Sequence, residues 1–203
     1  MIRRLILLSM ILTLGALVVQ PAAAIVEEKS GKEYPDTVVQ GTGDVAATLA
    51  ATGVGLREKT FMKVDVYTIV SYVMEGVDLG SEPAATLVKL KEPKRLQMDL
   101  RRGFSREKLI NAFGEVIEKN YEDRTAFAAD MDTFSAYFTR DAQDGDVILF
   151  DFRLDTGLTT SLNGEVAGVI ENFAFVEALW TVWFGEDPAN DDLRDKLLSA
   201  LGE

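Results

Sequence analysis

Asn163-Gly164, set between the runs "GDVILFDFRLDTGLTTSL" and "EVAGVI", constrains the fold of this chain more than any other pair of residues. A two-residue loop of that kind needs positive φ at both positions, which asparagine and glycine tolerate, and its twist suits two strands running in opposite directions. Asp155-Thr156-Gly157 reads as a further turn inside the first run. Antiparallel pairing is therefore required in this half of the chain.

A second strand region lies upstream. In "ATGVGLREKTFMKVDVYTIVSYV", residues 51–73, the even positions Met62, Val64, Val66, Thr68, Val70 and Tyr72 form a nearly unbroken apolar face at the two-residue period of a strand. The odd positions, Phe61, Lys63, Asp65, Tyr67, Ile69 and Ser71, mix aromatic and polar groups, as expected of a face toward water or a partly polar pocket. Gly53 and Gly55 deliver Arg57 directly before it. "TVVQGTGDVAATLAATGVGLREK" together with this stretch predicts two or three strands after a polar lead-in from Glu27 to Pro35. A linker, "EGVDLGSEP", leads to "LVKLKEPKRLQMDLRR", where Leu96, Met98 and Leu100 alternate with Gln97, Asp99 and Arg101 as a strand does.

Helical periodicity separates these strand regions. Ser105 has the character of an N-cap, with Leu109, Ile110, Phe113, Val116 and Ile117 as an apolar stripe behind it. Phe127, Met131, Phe134 and Phe138 recur at i, i+4, i+7 and i+11, a face suited either to a core or to the roof of an apolar cavity. "ENFAFVEALWTVWFG" predicts a helix with Phe175, Val176, Leu179, Trp180 and Trp183 on one face and Gly185 as its stop, and a last amphipathic helix begins near Asn190. The order of elements indicates an α+β domain with an antiparallel sheet covered on one face by helices.

Composition excludes several chemistries. The 203 residues contain no cysteine and no histidine. Thiol chemistry, histidine-based triads and histidine-ligated transition metals are ruled out, and the fold is held by packing alone. No motif calls for a metal or cofactor: Gly41-Thr-Gly43 lacks the third glycine of a dinucleotide fingerprint, and "DAQDGD" (141–146) lacks the offsets of a calcium loop and reads as a turn. Residues 1–24, "MIRRLILLSMILTLGALVVQPAAA", have the marks of an export signal, with Arg3-Arg4, an apolar run and an Ala-x-Ala cleavage pattern ending at Ala24. The alternative is an uncleaved membrane anchor; with cleavage, residues 25–203 form one periplasmic or secreted domain. The formal charge of −12 becomes −14 once Arg3 and Arg4 are removed, a field that disfavours nucleic acid.

Four blocks together resemble the chalcone isomerase-like domain family: "GVGLREK" with "KVDVYTIVSYV", "FSREKLINAFGEVIEKN", "GDVILFDFRLDTGLTTSLNG", and "GVIENFAFVEALWTVWFGEDP". The resemblance implies an open-faced β-sandwich, an antiparallel sheet with a helical layer and a ligand between them. The family holds isomerases that close a chalcone to a flavanone and non-catalytic relatives that bind fatty acids. Of the isomerase's catalytic positions, the arginine corresponds to Arg57. The hydroxyl and amide positions fall at Tyr67, near Ser105, at Asn111 or Ala112, and at Val166. The fatty-acid-binding branch holds a carboxylate with an arginine and a tyrosine on the next strand, which correspond to Arg57 and Tyr67. The resemblance thus implies a fatty acid or similar amphipathic anion as ligand. Ile69, Phe113, Phe127 and Phe134 are candidate cavity-lining residues. A guanidinium fork and a phenol suit a carboxylate chemically. Two other roles for Arg57 stand beside ligand binding: stabilising an oxyanion in an isomerase or lyase, and an ion pair, for example with Asp65, in a structural domain that binds a protein partner. Arg57 and Tyr67 can share a ligand only if the chain reverses between them near Glu58–Met62, because ten residues of one strand span roughly 33 Å.

Overall fold

A computed structural model describes residues 23–59 and 64–201. The leader expected over residues 1–24 thus lies almost wholly outside the described residues. The polar lead-in and the residues just before it form a hairpin of β1 (Ala24–Glu27) and β2 (Lys32–Pro35), paired from Ala24–Pro35 to Glu27–Lys32.

The main sheet is a seven-stranded antiparallel meander in chain order: β3 (Thr37–Gln40), β4 (Ala47–Lys59), β5 (Val64–Met74), β6 (Lys94–Leu100), β7 (Val147–Arg153), β8 (Gly157–Leu162) and β9 (Glu165–Ile170). The Asn163-Gly164 hairpin forms as expected, with φ 52° and 83° at its two residues. Gln40 of β3 donates to Asp151 of β7, four strands away, at 2.9 Å. That contact requires the sheet to curl into a half-barrel.

Five helices complete the fold: α1 (Pro83–Lys89), α2 (Arg106–Asn120), α3 (Ala128–Tyr137), α4 (Phe173–Phe184) and α5 (Asp191–Lys196). Ser105 caps α2, its Oγ accepting from the Lys108 amide, and Asn190 caps α5 by accepting from the Leu193 amide at 2.9 Å. Helix α1, hidden in the apparent linker, is announced only by Pro83 at its first turn and the Leu87-Val88 pair. Phe127 and Phe138 flank α3, and both are buried with Phe134, so the aromatic face is core. Helix α4 is buried on all sides rather than on one face, as its continuous apolar sequence requires. It ends at Gly185 as expected, but not through a left-handed residue: φ there is −70°. The glycine is needed because Asn120 comes so close that a Cβ would overlap its Oδ1.

Strand β5 corrects the expected two faces. Its odd residues Ile69 and Val73 join the large core under the helices, with Tyr67 against it. Its even residues Val70 and Tyr72 join Tyr34, Leu49 and Val54 in a smaller core under the β1–β2 hairpin. Both faces are covered, because the hairpin supplies a layer that the polar lead-in did not announce. Lys94, also on the helix side of the sheet, is 0% exposed. Its Nζ donates to the carbonyls of Leu87 at 2.7 Å and Val88 at 3.1 Å, in the last turn of α1, and stands 4.6 Å from the Trp180 ring centroid. Burial pulls its pKa down to about 7.

Candidate functional site

The antiparallel register of β4 and β5 sets Arg57 directly opposite Tyr67. Residues so paired stand roughly 4.5–5.5 Å apart at Cα and share a face of the sheet, so the chain reversal demanded by a shared ligand is present. The turn itself, residues 60–63, lies outside the described residues. A register shift follows immediately, between Arg57 and Glu58, and Arg57 Nη1 donates to the Glu58 carbonyl at 2.6 Å. Among the described residues no carboxylate lies within salt-bridge distance of Arg57, and the pairing with Asp65 is not seen. The nearby Glu58 is instead taken by Lys29.

Tyr67 is fixed from the helical side. Trp183 Nε1 on α4 donates to Tyr67 Oη at 3.1 Å. With the phenol oxygen accepting there, its own O–H is left to donate elsewhere. Burial pushes the Tyr67 pKa up while the Trp183 bond and the Arg57 charge pull it back, so the group is a neutral donor at physiological pH.

The two side chains enter a cleft of about 460 Å³ between the sheet and α2, within the range of small-molecule sites. Its apolar walls include Met98 and Leu100 from β6, Leu109, Phe113 and Val116 from α2, and Trp183 from α4. Four cations also line it, Arg57 and Lys59 from β4 and Lys108 and Lys119 from α2, against one carboxylate, Glu115. In a chain with 33 acidic and 21 basic residues, that local excess reverses the overall sign. The arrangement can hold the head of an anion between a fixed cation and a neutral hydroxyl donor while an apolar tail lies along the walls.

Of the residues singled out from sequence, Arg57, Tyr67 and Phe113 meet in this cleft. Ile69, Phe127 and Phe134 do not line it; they are packed into the main core. Gly53 and Gly55 do not make room for a ligand. A Cβ on Gly55 would come 2.6 Å from Leu193 Cδ1 and one on Gly53 would overlap the backbone at Lys196–Leu197, so these glycines admit α5 against β4. Among the isomerase-related positions, Ala112 lines the cleft without a polar group, and the Ser105 hydroxyl is engaged as a cap. Val166 stands 66% exposed on the edge strand β9. Sequence reasoning did not single out Lys59, Lys108 or Lys119 for this cleft. The stripe Lys108, Ala112, Glu115, Lys119, at i, i+4, i+7 and i+11 beside the apolar one, was the available signal.

The sequence profile described as chalcone isomerase-like matches residues 26–199. Among solved structures, the crystal structure of the fatty-acid binding protein of Arabidopsis thaliana superposes with a TM-score of 0.68 at 18% sequence identity, covering 87% of this chain and 96% of that one. No curated protein matches the chain in sequence.

Proposed function

Because the chain belongs to the chalcone isomerase-like family, we propose that it is a non-catalytic binder or carrier of a fatty acid or similar amphipathic carboxylate, exported by its leader to the periplasm or beyond. The observation that carries this is the pairing of Arg57 with the free donor of Tyr67 at an apolar cleft, with no protein carboxylate on Arg57 among the described residues. Charge-assisted bonds to such a head contribute roughly 1.5–3 kcal/mol, whereas each buried methylene contributes roughly 0.8 kcal/mol. The polar pair would set orientation and the walls most of the affinity. The solved structural neighbour named as a fatty-acid binding protein supports the ligand class. The isomerase alternative is supported less, since the positions of its further polar groups are held by a capping serine, by Ala112 or by an exposed Asn111 that does not line the cleft, and by an exposed edge valine.

The test is thermal unfolding and direct titration of wild type, Arg57→Met and Tyr67→Phe with a long-chain fatty acid. Arg57→Met strands no buried acid, so the ligand-free melt should change by less than about 1 kcal/mol, while affinity falls about ten- to a hundredfold. Tyr67→Phe should weaken binding several-fold. Absence of binding by the wild type, or equal affinity in Arg57→Met, refutes the proposal.

A further inference from the structure

The cations around the cleft are too many and too far apart to serve one ligand head. Lys108 and Lys119 stand eleven residues apart on α2, about 16 Å of helix, and face Arg57 and Lys59 across the opening. A single carboxylate is fully served by Arg57 and Tyr67. The positive border also extends beyond the cleft walls: Arg101 and Arg102 are exposed at the turn after β6. The Arg102 guanidinium lies over the Phe104 ring at 5.5 Å, and half-buried Phe104 is itself part of the cleft wall. The acids at this border are Glu115 in the cleft wall, the exposed Glu107, and the exposed Asp141 and Asp144, which share a shallow surface pocket with Phe104. Six cations against four carboxylates therefore surround an apolar opening, a positive excess on a chain that is otherwise strongly acidic.

We propose that this rim docks the cleft mouth onto an anionic lipid bilayer surface, from which the ligand is collected or to which it is delivered. The inference rests on the reading of the cleft as a lipid site. Cations spaced by more than a headgroup's width meet separate anionic headgroups, each attracted at short range and screened beyond a Debye length. The acidic remainder of the chain is repelled by the same surface, so the protein approaches with its cleft foremost. Phe104, an aromatic side chain beside two arginines, is suited to the interface between headgroups and tails. Among the described residues no helix is long and apolar enough to cross a membrane, and peripheral docking needs none.

All described strands and helices lie within residues 24–196, so the chain from Ala23 onward, without the apolar leader, is the form to test. Its sedimentation with vesicles of phosphatidylcholine alone, and with about a third phosphatidylglycerol, is measured at low and high salt. Binding should appear only on the anionic vesicles and be lost in high salt. It should fall at least about a hundredfold in the double variant Arg102→Glu, Lys108→Glu, which shifts the rim by four charges. Lys91→Glu, beside Phe173 at the start of α4 and away from the cleft, should bind as wild type does once circular dichroism has shown all variants folded. Equal binding to both vesicles, binding to neither, indifference to rim reversal, or a dimer in solution that covers the rim would each overturn the proposal. Fatty-acid affinity is measured separately without vesicles. Retained affinity with no docking removes only this inference, whereas docking without affinity removes the carrier reading beneath it.

Discussion

Lys94 should make this protein more stable as the solution becomes alkaline. In the unfolded chain its ammonium titrates near 10.5; in the fold, burial pulls it down to about 7. Between those values the unfolded state binds the extra proton, so stability rises with pH across that window and the gain is absent below it. From pH 7 to pH 9 the folded group goes from about half to almost fully deprotonated while the unfolded one keeps its proton, and at about 1.4 kcal/mol per unit the gain is roughly 2 kcal/mol. For a domain of this size, that corresponds to a rise in Tm of about 4–8 °C. The chain offers an unusually clean window, because it has neither histidine nor cysteine. The buried tyrosines Tyr34, Tyr67 and Tyr72 are all raised by burial, so they oppose the gain only once unfolded tyrosine ionises, near pH 10. The assay is calorimetric unfolding of wild type and Lys94→Met at half-unit steps from pH 6 to 9. Lys94→Met also strands the Leu87 and Val88 carbonyls, which lowers its stability at every pH but adds no slope. Parallel curves for the two proteins would show that Lys94 keeps its proton throughout, held by those carbonyls and the Trp180 face, and would refute the reasoning.

Two further outcomes test the account of the fold. Gly55→Val places a branched side chain where a Cβ alone would come 2.6 Å from Leu193; α5 must shift, costing about 1–3 kcal/mol by chemical denaturation, and unchanged stability would mean that α5 is not seated on β4. The Asp146 carboxyl is held down at about 2 chiefly by its Arg140 bond, so its contribution is fully present above pH 4 and fades as pH falls toward 2. Asp146→Asn should remove on the order of 1 kcal/mol of pH-dependent stability in that acid range, because solvent around the exposed Arg140 screens much of the attraction, and an unchanged acid-unfolding curve would contradict it.

What the sequence determined by itself was local. The Asn163-Gly164 turn, the caps Ser105 and Asn190 and the apolar stripe of α2 depend on residues within a few positions of one another, and all appear where the pattern put them. The opposition of Arg57 and Tyr67 was legible as a requirement, since only a reversal could bring them together. Tertiary structure decided the rest. Periodicity records that a strand has two faces but not what covers them, so the hairpin over Val70 and Tyr72 could not be read from a polar lead-in. Gly53 and Gly55 carry no mark of which partner approaches, and the partner is a helix some 140 residues later in the chain. The cleft's positive border, too, is assembled from β4 and α2, whose lysines look like ordinary solvated charges along the chain. Side chains distant in sequence acquire a common field only when packing brings their elements to one opening, because charge interactions depend on separation in space.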